Sequence, residues 1–198
     1  MLNILVTGGL GFIGQHLLRY LDPARSRLVV VDALINNSLS PEAARAMGVE
    51  VHPCLCSVFS LEGRHFDRVY HLAAPVGPAG VLKWAGEMAE MIIHDTFVLA
   101  RYCQREGCPL LVISTSEVYG KNPFNVRQKE SCDKIVPPEY TIRLEYGVAK
   151  LLSEIMAANM ARVGDLLHNV IRPFNIAGPG QRGEVGFVLP RFVEAALA

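Results

Sequence analysis

The chain carries no excess of charge: nineteen Lys and Arg balance nineteen Asp and Glu over 198 residues. Without a basic surplus there is no electrostatic footprint for nucleic acid or an anionic membrane, so neither is expected as a partner. No apolar run reaches the ~18 residues of a membrane span. The opening MLNILVTGGLGFIG lacks a basic leader and breaks on glycines, so it reads as strand and turn rather than signal peptide. The five cysteines (Cys54, Cys56, Cys103, Cys108, Cys132) contain no CxxC pair, and their number is odd. A disulfide framework or a zinc site is therefore not expected, and no metal ligands are assigned. The cysteines are read as small buried hydrophobes in a reducing, cytoplasmic setting. Repeats and low-complexity tracts are missing too. What remains is core-forming material, 51% hydrophobic against 19% charged, at the length of one large domain.

Short apolar runs alternate with helical periodicity. Asn3 to Thr7 reads as a strand, followed by glycines and then by Phe12, Ile13, Leu17, Leu18 and Leu21 at helical spacing up to Asp22-Pro23. Arg27 to Val31 is a β-branched run suited to burial on both faces of a parallel sheet. Ser40 with Pro41 announces a second helix, stopped at Gly48. Strands are expected at Val49–Cys54, Arg68–Leu72, Leu110–Ile113 and Asn169–Arg172. Long helices are expected over about 86–106 and 140–163, with a Pro-bearing loop (Pro123, Pro137, Pro138) over 120–140. Pro190 to Ala198 reads as the opening of another helix. This alternation predicts an α/β fold, a doubly wound parallel sheet of Rossmann type.

Gly8, Gly11 and Gly14 form G-x-x-G-x-x-G between the first strand and the first helix. Such a turn lets a pyrophosphate approach the backbone where helix N–H groups are free, so these glycines with Phe12 and Ile13 are candidate cofactor contacts. Asp32 closes the second strand, 18 residues beyond Gly14 (32 − 14). There its carboxylate can accept from ribose hydroxyls and repel a 2′-phosphate, which favours NAD over NADP. Tyr146 and Lys150 stand at i and i+4 of one helix, where an ammonium lowers a phenol's pKa and makes it a general base. Ser114, Thr115, Ser116 and Glu117 follow the fifth strand, at the end of the sheet where ligands of such folds bind. His71 is read as a satisfied core histidine and Trp84 as a pocket-edge residue. Met88, Met91, Phe97 and Leu99 are read as packing surface of the long helix.

TGGLGFIG at 7–14, HLAA at 71–74, STSEVYG at 114–120, YGVAK at 146–150 and RPFNIAGPGQ at 172–181 together resemble the NAD-dependent epimerase/dehydratase family, the extended short-chain dehydrogenases/reductases. The resemblance runs through essentially the whole chain. It implies NAD as cofactor and a nucleotide sugar as substrate, with Thr115, Tyr146 and Lys150 catalytic; Glu117, beside them, is counted as a catalytic candidate too. It also implies cofactor contacts at Leu72, Ala73, Ala74, Pro173, Tyr146 and Lys150, and substrate contacts at Ser116 and Asn175. The family's shared step is oxidation of a sugar hydroxyl at C4, the proton passing to the tyrosine. Epimerisation is the expected outcome, with decarboxylation or dehydration as alternatives and a cofactor-binding form without turnover as a further one. Thr-Ser-Glu is similar to the UDP-glucuronate decarboxylases and their 4-epimerase relatives. The chain departs from the pattern at Cys54–Ser57, where an acidic residue is usual, and at Ile92, where an asparagine is usual. The resemblance further implies a homodimer paired through the two long helices, and a C-terminal substrate domain. Residues 1–198 are expected to be the NAD-binding domain, with that second domain missing or truncated.

Overall fold

The computed structural model describes residues 1–121 and 127–198, apart from the side chains of residues 78 and 79; Pro123 of the expected loop lies outside them. Six strands, β1 (Leu2–Thr7), β2 (Ser26–Val31), β3 (Glu50–His52), β4 (Arg68–His71), β5 (Leu110–Ile113) and β6 (His168–Ile171), form one sheet in the order β3-β2-β1-β4-β5-β6. Every pairing is parallel. The strand order reverses between β1 and β4, and the crevice outside the carboxyl ends at that switch is where such sheets take ligands.

Strand alternation divides the core into two layers. Ile4, Val6, Leu28 and Val30 face α1 (Phe12–Tyr20) and α2 (Pro41–Ala46), where Leu18 and Ala44 complete the packing. Leu5, Val29, Val31, Val69, Leu110 and Val112 face the other way, against Leu99, Ala100, Tyr102 and Cys103 of α4 (Met88–Glu106) and Ala157 of α5 (Ile142–Gly164). Strands buried on both faces explain why the sequence shows continuous apolar runs rather than alternation.

Local signals act as their chemistry requires. Ser40 caps α2 by accepting from the Ala43 N–H at 3.1 Å, with Pro41 first in the helix. Thr141 caps α5 by accepting from Leu144 at 3.1 Å, so that helix starts two residues later than its periodicity predicts. Gly107 ends α4 in the left-handed conformation, φ 68°, with the Cys108 N–H returning to the Cys103 carbonyl at 3.1 Å. Three differences stand out. The stretch before α4 holds a separate short helix, α3 (Gly77–Lys83), and α4 itself opens at Met88, because the chain bends at Trp84–Glu87. Strand β3 is three residues long rather than six. Beyond β6, α6 (Val188–Leu197) forms as its pattern predicts but buries none of its residues.

Candidate active site

The turn after β1 is shaped by absent side chains. A Cβ on Gly8 would sit 2.7 Å from the Ala73 backbone nitrogen, and one on Gly14 would sit 2.5 Å from the Gly8 and Gly9 carbonyl oxygens. These two glycines let the β4 loop and α1 close on the turn. Gly11 differs: apart from the Gly8 carbonyl oxygen at 3.3 Å its Cβ would enter open space. It is the N-cap of α1 and gives no side-chain cap, so the Phe12, Ile13 and Gly14 N–H groups have no acceptor within the helix. An open cradle below unpartnered amides at a helix N-terminus fits a pyrophosphate.

Asp32 follows β2 and is 8% exposed. Its two oxygens accept from the Leu10 and Leu34 N–H groups, both at 2.9 Å, which orients the carboxylate and leaves each oxygen a lone pair for a ribose hydroxyl. Burial raises its pKa, and the two backbone donors act against that. Leu72, Ala73 and Ala74 follow β4 with Leu72 anchored on the Thr7 carbonyl at 3.0 Å. Turn, acidic residue and β4 loop therefore meet at one end of the sheet and fit a dinucleotide.

Below them lies a closed polar chain. The Thr96 hydroxyl donates to the Ile92 carbonyl at 2.7 Å, so it accepts from His71 Nε2 at 3.2 Å. His71 Nδ1 is then the acceptor for the Thr7 hydroxyl at 2.8 Å, and Thr7 Oγ1 accepts from the Ala73 N–H at 3.4 Å. Complete burial drives the His71 pKa down to about 3, so the ring is neutral. His71 is the satisfied core histidine that the sequence predicts, and Ile92 contributes its carbonyl in place of a polar side chain.

Thr115 leaves β5 as the N-cap of a 3₁₀ turn over Ser116–Tyr119, its hydroxyl accepting from the Glu117 N–H at 3.3 Å. The Ser116 N–H is held by the Pro173 carbonyl at 3.0 Å, joining this turn to the segment after β6. α5 approaches closely because position 147 is glycine; a Cβ there would lie 3.2 Å from the Glu117 carbonyl oxygen. That packing brings Tyr146 to Thr115, whose hydroxyl lies close enough to act on the phenol and lower its pKa. Lys150 is 2% exposed and donates to the Ile113 carbonyl at 2.8 Å.

The electrostatics correct the sequence expectation. Tyr146 is not lowered by Lys150: burial pushes the phenol up to about 12, with the Thr115 hydrogen bond pulling down and the Glu117 charge pushing up. The ammonium is tied to the Ile113 carbonyl of β5, and its own pKa falls to about 8 through burial, with Asp95 and Glu154 resisting. Sharing a helix face does not make the two groups partners.

Other candidates lie at the rim. Glu117 pairs with the largely exposed Arg143 at 2.5 Å. Asn175 is exposed past β6, and Pro173 is half-buried. Sequence reasoning missed two residues. Asp95 of α4 lies beside the Cys56 thiol and the Ser57 N–H, which counter the raising of its pKa by burial, so an acidic group reaches the Cys54–Ser57 loop from outside it. Glu145 binds across to the start of α4. Neither follows a motif; both act through contacts distant in sequence. Among the described residues no cluster of His, Cys, Asp and Glu could hold a metal ion, and no helix is long and apolar enough to cross a membrane.

The relatives fit this geometry. UDP-N-acetyl-alpha-D-glucosaminuronate decarboxylase of Bacillus cytotoxicus is 31% identical over 200 residues, 98% of this chain and 60% of that protein. The structure of UDP-N-acetylglucosamine 4-epimerase from Methanobrevibacter ruminantium M1, in complex with UDP-N-acetylmuramic acid, superposes with a TM-score of 0.83 at 27% identity, covering 99% of this chain and 63% of its own. UDP-glucuronic acid 4-epimerase from Bacillus cereus, in complex with NAD, gives 0.78 at 26% identity, with 98% and 62% covered. The chain thus spans about 60% of the length of these relatives. The family model matches residues 4–198: the chain belongs to the NAD dependent epimerase/dehydratase family.

Proposed function

We propose that this chain is the cofactor-binding part of an NAD-dependent enzyme that oxidises a nucleotide sugar transiently at C4 and returns it as the 4-epimer. The observation that carries the reading is the placement of Tyr146 against Thr115 past the carboxyl end of β5, with Lys150 held on the carbonyl of that strand's last residue. Bound NAD supplies the hydride acceptor. Thr115 orients the sugar hydroxyl and Tyr146 takes its proton. Lys150, held on the Ile113 carbonyl, offers its remaining N–H donors to the nicotinamide ribose. Burial holds the phenol at about 12, so a positive charge bound beside it, such as an oxidised nicotinamide would supply, would favour its ionisation. Hydride given back to the other face of the ketone would yield the epimer.

Decarboxylation is the second reading, supported by the Glu117–Arg143 pair and by the Bacillus cytotoxicus relative. Arg143 can exchange Glu117 for a sugar carboxylate at the rim. The ketone at C4 would then accept the electron pair of the breaking C5–C6 bond, carbon dioxide would leave, a proton would return at C5, and hydride given back to C4 would yield the UDP-pentose. A UDP-uronate is the substrate class that serves both outcomes. Incubating the whole enzyme that contains this chain with UDP-glucuronate and NAD decides between them: UDP-galacturonate supports epimerisation, carbon dioxide with a UDP-pentose supports decarboxylation, and unchanged UDP-glucuronate defeats both. Tyr146→Phe should keep NAD bound and lower kcat by ~10² to 10⁴-fold; retention of more than about a tenth would remove Tyr146 as base.

As part of the same reading we propose a homodimer. Met88 and Leu99 are buried within the chain, but Phe97 on α4 and Val148, Leu152 and Ile155 on α5 are 40–47% exposed and spaced to form an outward apolar stripe. Sedimentation should return twice 21.7 kDa, and Leu152→Glu should return the monomer; a wild-type monomer would refute the pairing.

A further inference from the structure

α4 opens without a cap of its own, since the Glu87 side chain accepts no N–H of the first turn. The acceptors come from α5. Glu145 Oε2 takes the Gly86 N–H at 2.8 Å, and Oε1 takes the Ala89 N–H at 3.2 Å. A carboxylate is also the favoured charge at that end of a helix. The bend it grips is closed by the Trp84 carbonyl, which accepts from Glu87 at 3.1 Å and Met88 at 2.9 Å. Directly inside lie Met88, Ile92 and Ala149, at most 2% exposed, and against them pack Trp84, Ile142 and Tyr146. One carboxylate thus fastens the mouth of α4 to the turn of α5 that bears the proposed base.

We propose that Glu145 is a positioning residue: by clasping Gly86 and Ala89 it keeps the Met88, Ile92 and Ala149 knot closed against Tyr146 and keeps water from the phenol. The proposal rests on the reading of Tyr146 as base and adds what holds its surroundings. The Tyr146 ring is half-buried against that knot, and burial is the main cause of its raised pKa, so loosening the knot has a signature at the phenol. The other groups facing the phenol are the Thr115 hydroxyl and the Glu117 carboxylate; Arg143 is engaged by Glu117 and Lys150 by Ile113.

The test uses the 198-residue chain and needs no turnover. Trp84 is the single tryptophan and its Nε1 is buried, so its emission reports the bend directly. Tyr146 is followed by ¹³Cζ-tyrosine NMR, its signal assigned by its loss in Tyr146→Phe. In Glu145→Ala the Trp84 emission should shift to the red with increased acrylamide quenching. Tyr146 should begin to ionise near the ordinary ~10 instead of about 12. Glu145→Gln keeps one acceptor oxygen and should fall between; it becomes the deciding variant if Glu145→Ala does not fold. A folded variant with both readouts unchanged overturns the proposal. A change at Trp84 without one at Tyr146 overturns it as well, leaving Glu145 a helix cap. Failure to transform UDP-glucuronate would sink the proposed reaction without altering either readout.

Discussion

The crevice at β1 and the edge at β6 are made from similar residues and finished in opposite ways. Around the glycine turn, Val6, Leu10, Leu18 and Val30 are fully buried, and Thr7, His71 and Thr96 satisfy one another. Past β6, Phe174 is 68% exposed, Phe192 69% and Leu197 84%. What reaches back from this edge is mostly backbone: His16 Nε2 donates to the Pro179 carbonyl at 2.9 Å, and Gln15 Nε2 donates to the Gly180 carbonyl at 3.4 Å. The largely buried Arg172–Glu154 pair, 2.6 Å, is the firm tie: it anchors the end of β6 to α5, and Arg172 also donates to the Glu130 carbonyl at 3.2 Å. The contrast teaches that the nucleotide cradle is completed by its own packing, whereas the rim proposed to meet the sugar leaves its apolar groups without cover.

A small side chain placed in each region should break the symmetry most strongly. Gly14→Ala drives a Cβ to 2.5 Å from two backbone oxygens that cannot move without opening the turn. Overpacking of this kind costs ~1 to 3 kcal/mol or more and should displace the α1 amides from the cradle. Urea unfolding should show the loss of stability and calorimetric titration the loss of NAD affinity. Phe192→Gln on α6, by contrast, should stay within about 0.5 kcal/mol. Equal effects at the two positions would show that the edge is as tightly packed as the crevice, against the exposures above.

How far the sequence reached follows the same division. The strands, the capped α2 and the glycine turn were legible because each rests on neighbours in sequence: β-branched runs, Ser40 before Pro41, glycines three apart. The short α3 was not, since Gly77-Pro78 reads as a breaker although proline is tolerated in a helix's first turn. The direction of the Tyr146 shift escaped for another reason. Spacing on a helix fixes which face two side chains share, but burial and the Ile113 carbonyl decide where the lysine spends its charge. Asp95 and Glu145 escaped because their partners lie on other elements, which pattern does not reveal. The apolar residues of α6 were visible, but periodicity alone cannot say whether such a face is covered.

Acid sharpens the comparison with a smaller effect, because the crevice holds the titrating group and the edge does not. His71 is neutral in the fold down to about 3, while the unfolded chain takes its proton near 6.5. Between those values the unfolded state binds one more proton, so stability falls as pH falls, by a slope approaching about 1.4 kcal/mol per pH unit. The window just below 6.5 belongs to His71. Glu50, lowered to about 2 chiefly by its hydrogen bond to His52, contributes stability that is lost only from about 4.5 downward. The buried Asp32 and Asp95, raised by burial, act in the opposite sense and only as they take up protons in the fold. Urea midpoints measured at pH 6.5, 6.0 and 5.5 should therefore decline in the wild-type chain. His71→Leu should start lower, because the Thr7 hydroxyl loses its acceptor, and should decline less by the equivalent of one proton. If both proteins decline in parallel, His71 is protonated within the fold and the closed Thr7–His71–Thr96 chain is not what makes the crevice the firmer of the two regions.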